Sequence, residues 1–190
     1  MNDQLLLAVK TLHSGGVVAH PTETCYGLAV DIFQKGAVEK LYRLKGMDLN
    51  KPVSLLVRDL EEAQRYGVFS ERALELAKRY WPSALTLVLP RTALLPLWVN
   101  PGLATIGLRV SPNKKARQLV EAFGGPLTTT SANVHGQPEA YKVDDFLAQG
   151  LVPDAVLDSG QLGKTPPSTL VEVVENEVRI LRQGDLRLEL

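Results

Sequence analysis

Three short segments gather hydroxyl groups: Pro21-Thr22-Glu23-Thr24, Thr128-Thr129-Thr130-Ser131-Ala132-Asn133 and Pro167-Ser168-Thr169. Cations lie close to them in sequence. Lys45 and Lys51 bracket Gly46-Met47-Asp48-Leu49-Asn50, Arg109 stands in Ile106-Gly107-Leu108-Arg109-Val110, and Arg182 follows Val178-Arg179-Ile180-Leu181. Hydroxyls and loop amides suit phosphate or carboxylate oxygens because they donate hydrogen bonds. An arginine among apolar strand residues either points to solvent or pairs with an anion, and guanidinium grips carboxylate or phosphate bidentately. The chemistry suggested is capture of an anionic ligand. Taken singly, each feature also has an ordinary structural reading, since Ser and Thr are turn and cap residues and exposed arginines are common. Neither a Walker loop nor a GxGxxG fingerprint is present, which excludes a conventional P-loop or dinucleotide site. The one cysteine, Cys25, has no intramolecular disulfide partner, and with His13, His20 and His135 scattered there is no structural zinc spacing.

The elements that must position these residues follow from periodicity. Leu5, Leu6, Val9 and Leu12 recur at helical spacing before Gly15-Gly16, and 17–19 then reads as a buried strand. Residues 27–30 predict a second strand and 37–45 a helix. A short strand follows over 53–57, and Asp59 with Glu62 forms a capping-box-like helix start. Ser70 caps another helix running to Tyr80, which Pro82 breaks. Strands are predicted over 85–89 and 105–110, separated by a proline-containing loop over 91–101. Ser111-Pro112 resembles a cap with proline in the first turn, opening a helix to Phe123 that Gly124-Gly125 stops. Residues 127–130 read as a strand, 143–149 as a helix and 155–157 as a brief strand. The segments 171–174 and 178–181 read as a terminal hairpin. The hydroxyl loops follow or precede strands, so ligand binding is expected at strand ends, as in open α/β sheets. The fold class expected is α/β: one domain over 1–190 with a twisted, mixed parallel and antiparallel sheet flanked by helices.

Bulk properties agree with a globular domain. At 190 residues, 45% hydrophobic and 22% charged, the chain has the composition and length to bury a core, which excludes general disorder. The 21 basic and 21 acidic residues cancel, so nucleic acid or membrane binding needs a local patch. No apolar run approaches the length of a membrane span, no cleavage-site pattern follows the start, and a reducing cytoplasm fits the single cysteine.

The segments GGVVAHPTETCYGLAVD, LYRLKGMDLNKPVSLLV, WPSALTLVL, TIGLRV, GGPLTTTSANVHGQP, PPSTLVEV and ILRQG together resemble the YrdC/TsaC family of threonylcarbamoyl-AMP synthases, in order and over nearly the whole chain. The resemblance implies a YrdC-like fold and an ATP-binding nucleotidyltransferase acting in tRNA processing. Such an enzyme makes threonylcarbamoyl-adenylate and pyrophosphate from L-threonine, bicarbonate and ATP, with Mg2+ as the expected metal. Partner proteins then transfer the group to tRNA, and direct RNA contact is a further possibility it raises.

The resemblance also implies roles. Thr24, Arg109, Ser131 and Ser168 would contact L-threonine, with Arg109 facing its carboxylate. Lys45, Lys51, Thr105, Asn133 and Arg182 would serve the nucleotide, with Tyr141 as a neighbour, and Lys45, Lys51, Ser131 and Asn133 form the expected catalytic set. No residue is demanded as a covalent nucleophile, and Cys25 reads as a packing residue. One departure stands out: relatives carry Lys-x-Arg where this chain has Lys45-Gly46-Met47, so a cation is missing unless Arg43 or Arg58 replaces it. That departure keeps open a paralogue that binds nucleotide without turnover. An RNA-binding or ribosome-maturation protein is the other alternative, with Lys78-Arg79 and Lys114-Lys115-x-Arg117 as its basic residues.

Overall fold

In the computed structural model, which describes residues 3–189, helix α1 (Asp3–His13) buries Leu5, Ala8 and Leu12 on one face. That face packs with Ala116, Leu119 and Val120 of α5 (Lys114–Phe123) into a small apolar cluster. The cap of α5 is Asn113, whose side chain accepts from the amides of Lys115 (3.0 Å) and Ala116 (3.2 Å). The sequence pattern pointed to Ser111 instead. Ser111 Oγ accepts from the Asn113 amide (3.1 Å), which leaves its hydroxyl proton for another partner. Asp59 and Ser70 do cap α3 (Leu60–Tyr66) and α4 (Glu71–Tyr80), accepting from Glu62 and Ala73 amides.

The strands form two sheets, where the sequence suggested one. β1 (Val18–Pro21), β2 (Tyr26–Ala29), β7 (Thr130–Ser131) and β8 (Ala155–Val156) make the smaller, in the order β7-β2-β1-β8. The larger has six strands: β3 (Ser54–Leu56), β4 (Leu85–Pro90), β5 (Thr105–Arg109), β6 (Leu127–Thr128), β9 (Thr169–Val174) and β10 (Glu177–Arg182), ordered β10-β9-β4-β5-β3-β6. Parallel pairs β3–β5, β4–β9 and β1–β8 coexist with antiparallel ones, so both sheets are mixed. The single strand expected over 127–130 is split. Leu127 and Thr128 pair with β3, Thr129 donates its amide to Ser54 O (2.8 Å), and Thr130 and Ser131 pair with β2. This crossing segment fastens the two sheets together.

Strand alternation divides the large sheet into two chemically different faces. Leu85, Leu87 and Leu89 of β4, Ile106 and Leu108 of β5, and Val171 and Val173 of β9 are buried in the main core. Their neighbours Thr86 and Val88, Thr105, Gly107 and Arg109, and Leu170 and Glu172 lie on the opposite face. Gly107 keeps that face open: a Cβ there would stand 2.5 Å from Ser54 Oγ and 3.2 Å from Thr86 Cγ2. Two remaining helices, α2 (Lys35–Lys45) and α6 (Val143–Leu147), contribute buried Leu41, Tyr42 and Phe146 to the core.

After β10 the chain folds back on the turn before β9. Gly184 is buried, its amide donates to Thr169 Oγ1 (3.1 Å), and a Cβ on it would stand 2.1 Å from Pro167 O and 2.6 Å from the Thr169 amide. Those contacts are backbone atoms that cannot swing aside. Gly184→Ala is therefore expected to destabilise the protein by about 2 kcal/mol, within the overpacking range. Thermal unfolding should show a Tm lower by roughly 4–8 °C for a domain of this size.

Candidate functional site

A cavity of about 430 Å³ lies over the polar face of the large sheet. Its floor is built by alternation: Thr86 and Val88, Thr105, Gly107 and Arg109, and Leu170 and Glu172 all line it. Loops close its sides. Thr24 and Cys25 come from the β1–β2 connection, Thr129 to Ser131 from the crossing segment, and Pro167 and Ser168 from the approach to β9. Arg182, the last residue of β10, completes the ring with Glu139.

Each loop has a local reason for its shape. In the β1–β2 connection, Thr22 Oγ1 donates to Cys25 O (2.7 Å) and accepts from the Thr24 and Cys25 amides (3.1 and 3.2 Å). This hydroxyl turn leaves Thr24 on the cavity wall. Ser168 Oγ shares a hydrogen bond with Thr86 Oγ1 (2.9 Å), and Arg182 donates from Nε and Nη2 to Ser168 O (3.1 and 3.0 Å). The long loop after β4 is fixed by Arg91, which donates to Val99, Leu95 and Pro96 carbonyls, and by Asn100, whose amide exchanges two 2.9 Å bonds with the Val53 backbone.

Arg109 is 6% exposed and forms an ion pair through Nη2 with Glu23 Oε1. Ser111 Oγ donates to the other Glu23 oxygen (2.5 Å). Among the described residues Arg109 Nε has no hydrogen-bond partner. Burial, and secondarily the neighbouring Arg182 charge, push its ionisation down to about 10, so it stays a cation at neutral pH. Cys25 lines the cavity, but burial above all pushes its thiol up to about 11. A neutral thiol is a poor nucleophile.

Of the residues singled out from sequence, Thr24, Thr105, Arg109, Ser131, Ser168 and Arg182 meet around this cavity. Lys45, Lys51, Asn133 and Tyr141 are not among its walls. The last residue of α2, Lys45 is 2% exposed and donates to the carbonyls of Ser131 and Asn133 (2.8 Å for the latter) and to Asn133 Oδ1 (3.1 Å). Burial lowers its pKa to about 8. It acts here as a clamp on the 131–133 loop. Ser131 Oγ donates to Asn133 Oδ1 (2.6 Å), closing that network. Lys51 is exposed on the 46–52 loop, and Tyr141 sends its hydroxyl towards Thr165 O at 3.5 Å.

Met47 is half-buried and lines a separate cavity of about 290 Å³ with Arg43, Tyr42 and Asp48, while Arg58 is paired with Asp59 (2.8 Å). Arg43, rather than Arg58, is the cation beside the Met47 position. The basic residues of the RNA-binding alternative are mostly engaged: Lys115 donates to Asp158 O, Arg117 lies 3.8 Å from Glu121, and Arg79 pairs with Glu189. Ser54, Thr86, Glu139 and Glu172 belong to the cavity and escaped the sequence reading, as did Glu23 beneath it. For Thr86 the signal was there, a polar residue in register between Leu85 and Leu87 on a strand. Glu23 carried no signal apart from its place in the Pro-Thr-Glu-Thr loop.

The family model for Sua5, YciO and YrdC, described as telomere recombination, matches residues 10–184. The chain belongs to this Sua5/YciO/YrdC family. Curated family members similar to it include the threonylcarbamoyl-AMP synthases of Cellvibrio japonicus (31% identical, over 94% of this chain and 95% of that one) and of mouse (34%, 96% and 67%). That of Pyrococcus abyssi is 30% identical over 98% of this chain, and the chain spans 55% of its length. Among solved family structures, P. abyssi Sua5 complexed with L-threonine superposes with a TM-score of 0.90 (30% identity, 96% of this chain and 54% of that one). Escherichia coli YciO gives 0.85 (28%, 97% and 92%). In this family member no helix among the described residues is long and apolar enough to cross a membrane.

Behind the cavity, His20 of β1 is fully buried, next to the Arg109 charge. Its Nδ1 donates to Pro21 O (3.2 Å), which leaves Nε2 unprotonated and without a partner among the described residues. Burial lowers its pKa to about 4. Above the unfolded value of about 6.5 both states are neutral, and as pH falls towards 4 only the unfolded chain takes the proton, so stability drops across that window. At 1.36 kcal/mol per pKa unit the full loss is ~3 kcal/mol. His20→Gln should flatten that part of the stability profile when urea midpoints are measured between pH 7 and pH 4.

Proposed function

We propose that the chain is a threonylcarbamoyl-AMP synthase, forming threonylcarbamoyl-adenylate and pyrophosphate from L-threonine, bicarbonate and ATP. The observation that carries this reading is the opening of Arg109 and Arg182 onto one hydroxyl-rich cavity. It is supported by family members bearing that name and by the fold shared with Sua5 in its L-threonine complex.

The chemistry asks for little beyond orientation and charge. The threonine amine adds to bicarbonate with loss of water, and an oxygen of the resulting carbamate attacks the α-phosphorus as pyrophosphate leaves. Both reactants are anions, so holding them together and neutralising the leaving group is the protein's contribution. Arg109 suits the threonine carboxylate, with Thr24, Ser131 and Ser168 as hydroxyl partners. Arg182 and Thr105 would serve the nucleotide. Lys45 and Asn133 would act through the loop they brace, and Lys51 and Tyr141 would serve the nucleotide from outside the cavity walls. Among the described residues no cluster of three His, Cys, Asp or Glu side chains could hold a metal ion. A divalent ion such as Mg2+ would be held mainly by the ATP phosphates. Partner proteins acting on tRNA would take the adenylate onward.

Pyrophosphate release that requires both L-threonine and bicarbonate tests this function, and release without either would overturn it. Arg109→Ala would strand the half-buried Glu23 carboxylate, so Arg109→Lys is the cleaner variant: it keeps the charge but loses the planar fork. By calorimetry its threonine Kd should rise about tenfold or more while ATP affinity changes much less. Met47→Arg should raise turnover by less than about tenfold, because Arg43 already supplies a neighbouring cation. Steady-state kinetics at two salt concentrations check this, and a larger, salt-sensitive gain would mean that the site lacks a cation.

A further inference from the structure

Glu23 lies on the β1–β2 connection of the small sheet, whereas Arg109 belongs to β5 of the large one. Its carboxylate spends both oxygens beyond the small sheet, one on Arg109 Nη2 of β5 and the other on Ser111 Oγ in the connection between β5 and α5. Ser111 in turn accepts from the amide of Asn113, the cap of α5. A continuous polar chain thus runs from the start of a helix to the guanidinium at the cavity floor. The adjacent residue, Thr24, is itself a cavity wall.

We propose that Glu23 is a positioning residue for anion recognition: it fixes the Arg109 fork and the Thr24 loop in one geometry, so that the guanidinium edge not bonded to Glu23 is presented to a carboxylate in the cavity. This rests on the assignment of L-threonine to the cavity. Two effects of Glu23 oppose each other. As a negative charge it weakens the field of Arg109 and competes for its donors, which disfavours a second carboxylate. As a two-point brace it removes the rotational freedom that a bound carboxylate would otherwise have to freeze. Arg109 is buried, so released from Glu23 it would satisfy its donors elsewhere and not wait in the productive orientation. Positioning is the effect that prevails.

The two effects give opposite signs. Glu23→Gln keeps shape but removes the charge, and Glu23→Asp keeps the charge but is one methylene too short to reach both partners. Calorimetric titration of wild type and both variants with L-threonine, and separately with ATP, should show the threonine Kd rising about tenfold in each variant with ATP affinity little changed. Tighter or unchanged threonine binding in Glu23→Gln, or wild-type affinity in Glu23→Asp, would overturn the proposal. A second readout needs no ligand. The Arg109 Nε–H resonance, assigned by its loss in Arg109→Lys, should exchange slowly in the wild type and at least about tenfold faster in Glu23→Gln. If the wild type binds no threonine yet this signal depends on Glu23, the assignment of the substrate fails and the positioning role stands; an unchanged signal removes that role. Where Glu23→Gln does not fold, Ser111→Ala, which cuts one of the two ties, is read by the same measurements.

Discussion

A guanidinium in the floor of a cavity must be kept charged while largely buried, and much of the site follows from that requirement. Arg109 pays for burial with a depressed pKa and is held by Glu23, a residue from the other sheet. An isolated buried charge is untenable, so the ion pair dictates that the β1–β2 connection lies against β5. That in turn brings Thr24 to the cavity wall and sets the end of the small sheet over the polar face of the large one.

The same logic operates at Lys45. Its ammonium carries no carboxylate partner among the described residues and is satisfied by the carbonyls of Ser131 and Asn133 and the Asn133 side chain. The turn after β7 is shaped around it. A lysine at the end of α2 thereby fixes the position of a serine on the cavity wall, and helix, crossing segment and site become one unit. Gly46, at φ 59°, ends α2 directly after Lys45 and turns the chain away into the 46–52 loop. The positive φ there is one that glycine adopts without strain.

The cavity floor shows how one sheet can serve as both core and cavity wall. One face of β4, β5 and β9 is packed with leucine, isoleucine and valine, which provides the rigidity, and the other mixes Thr86, Thr105, Gly107, Arg109 and Glu172 with the apolar Val88 and Leu170. A methyl group at Gly107 in its centre would press on the Ser54 side chain and the Thr86 methyl, so the floor there is backbone flanked by those two side chains. Side chains mounted on strands in this way are more precisely held than side chains on free loops.

The sequence by itself determined the α/β class, most of the helices and strands, two of the three side-chain helix caps proposed from it and the residue types suited to anions, because periodicity and capping are local properties. It also carried the family resemblance through motifs distributed along the chain. Tertiary structure alone decided three matters. The strand read over 127–130 is divided between two sheets because Thr129 bonds to Ser54, a residue far away in sequence. Lys45 points inward as a clamp because the carbonyls that satisfy it come from another loop. Glu23 partners Arg109 across 86 positions, and no spacing rule links a loop carboxylate to a strand arginine at that separation. Long-range polar pairing depends on how the sheets pack, and that packing is a property of the folded chain as a whole.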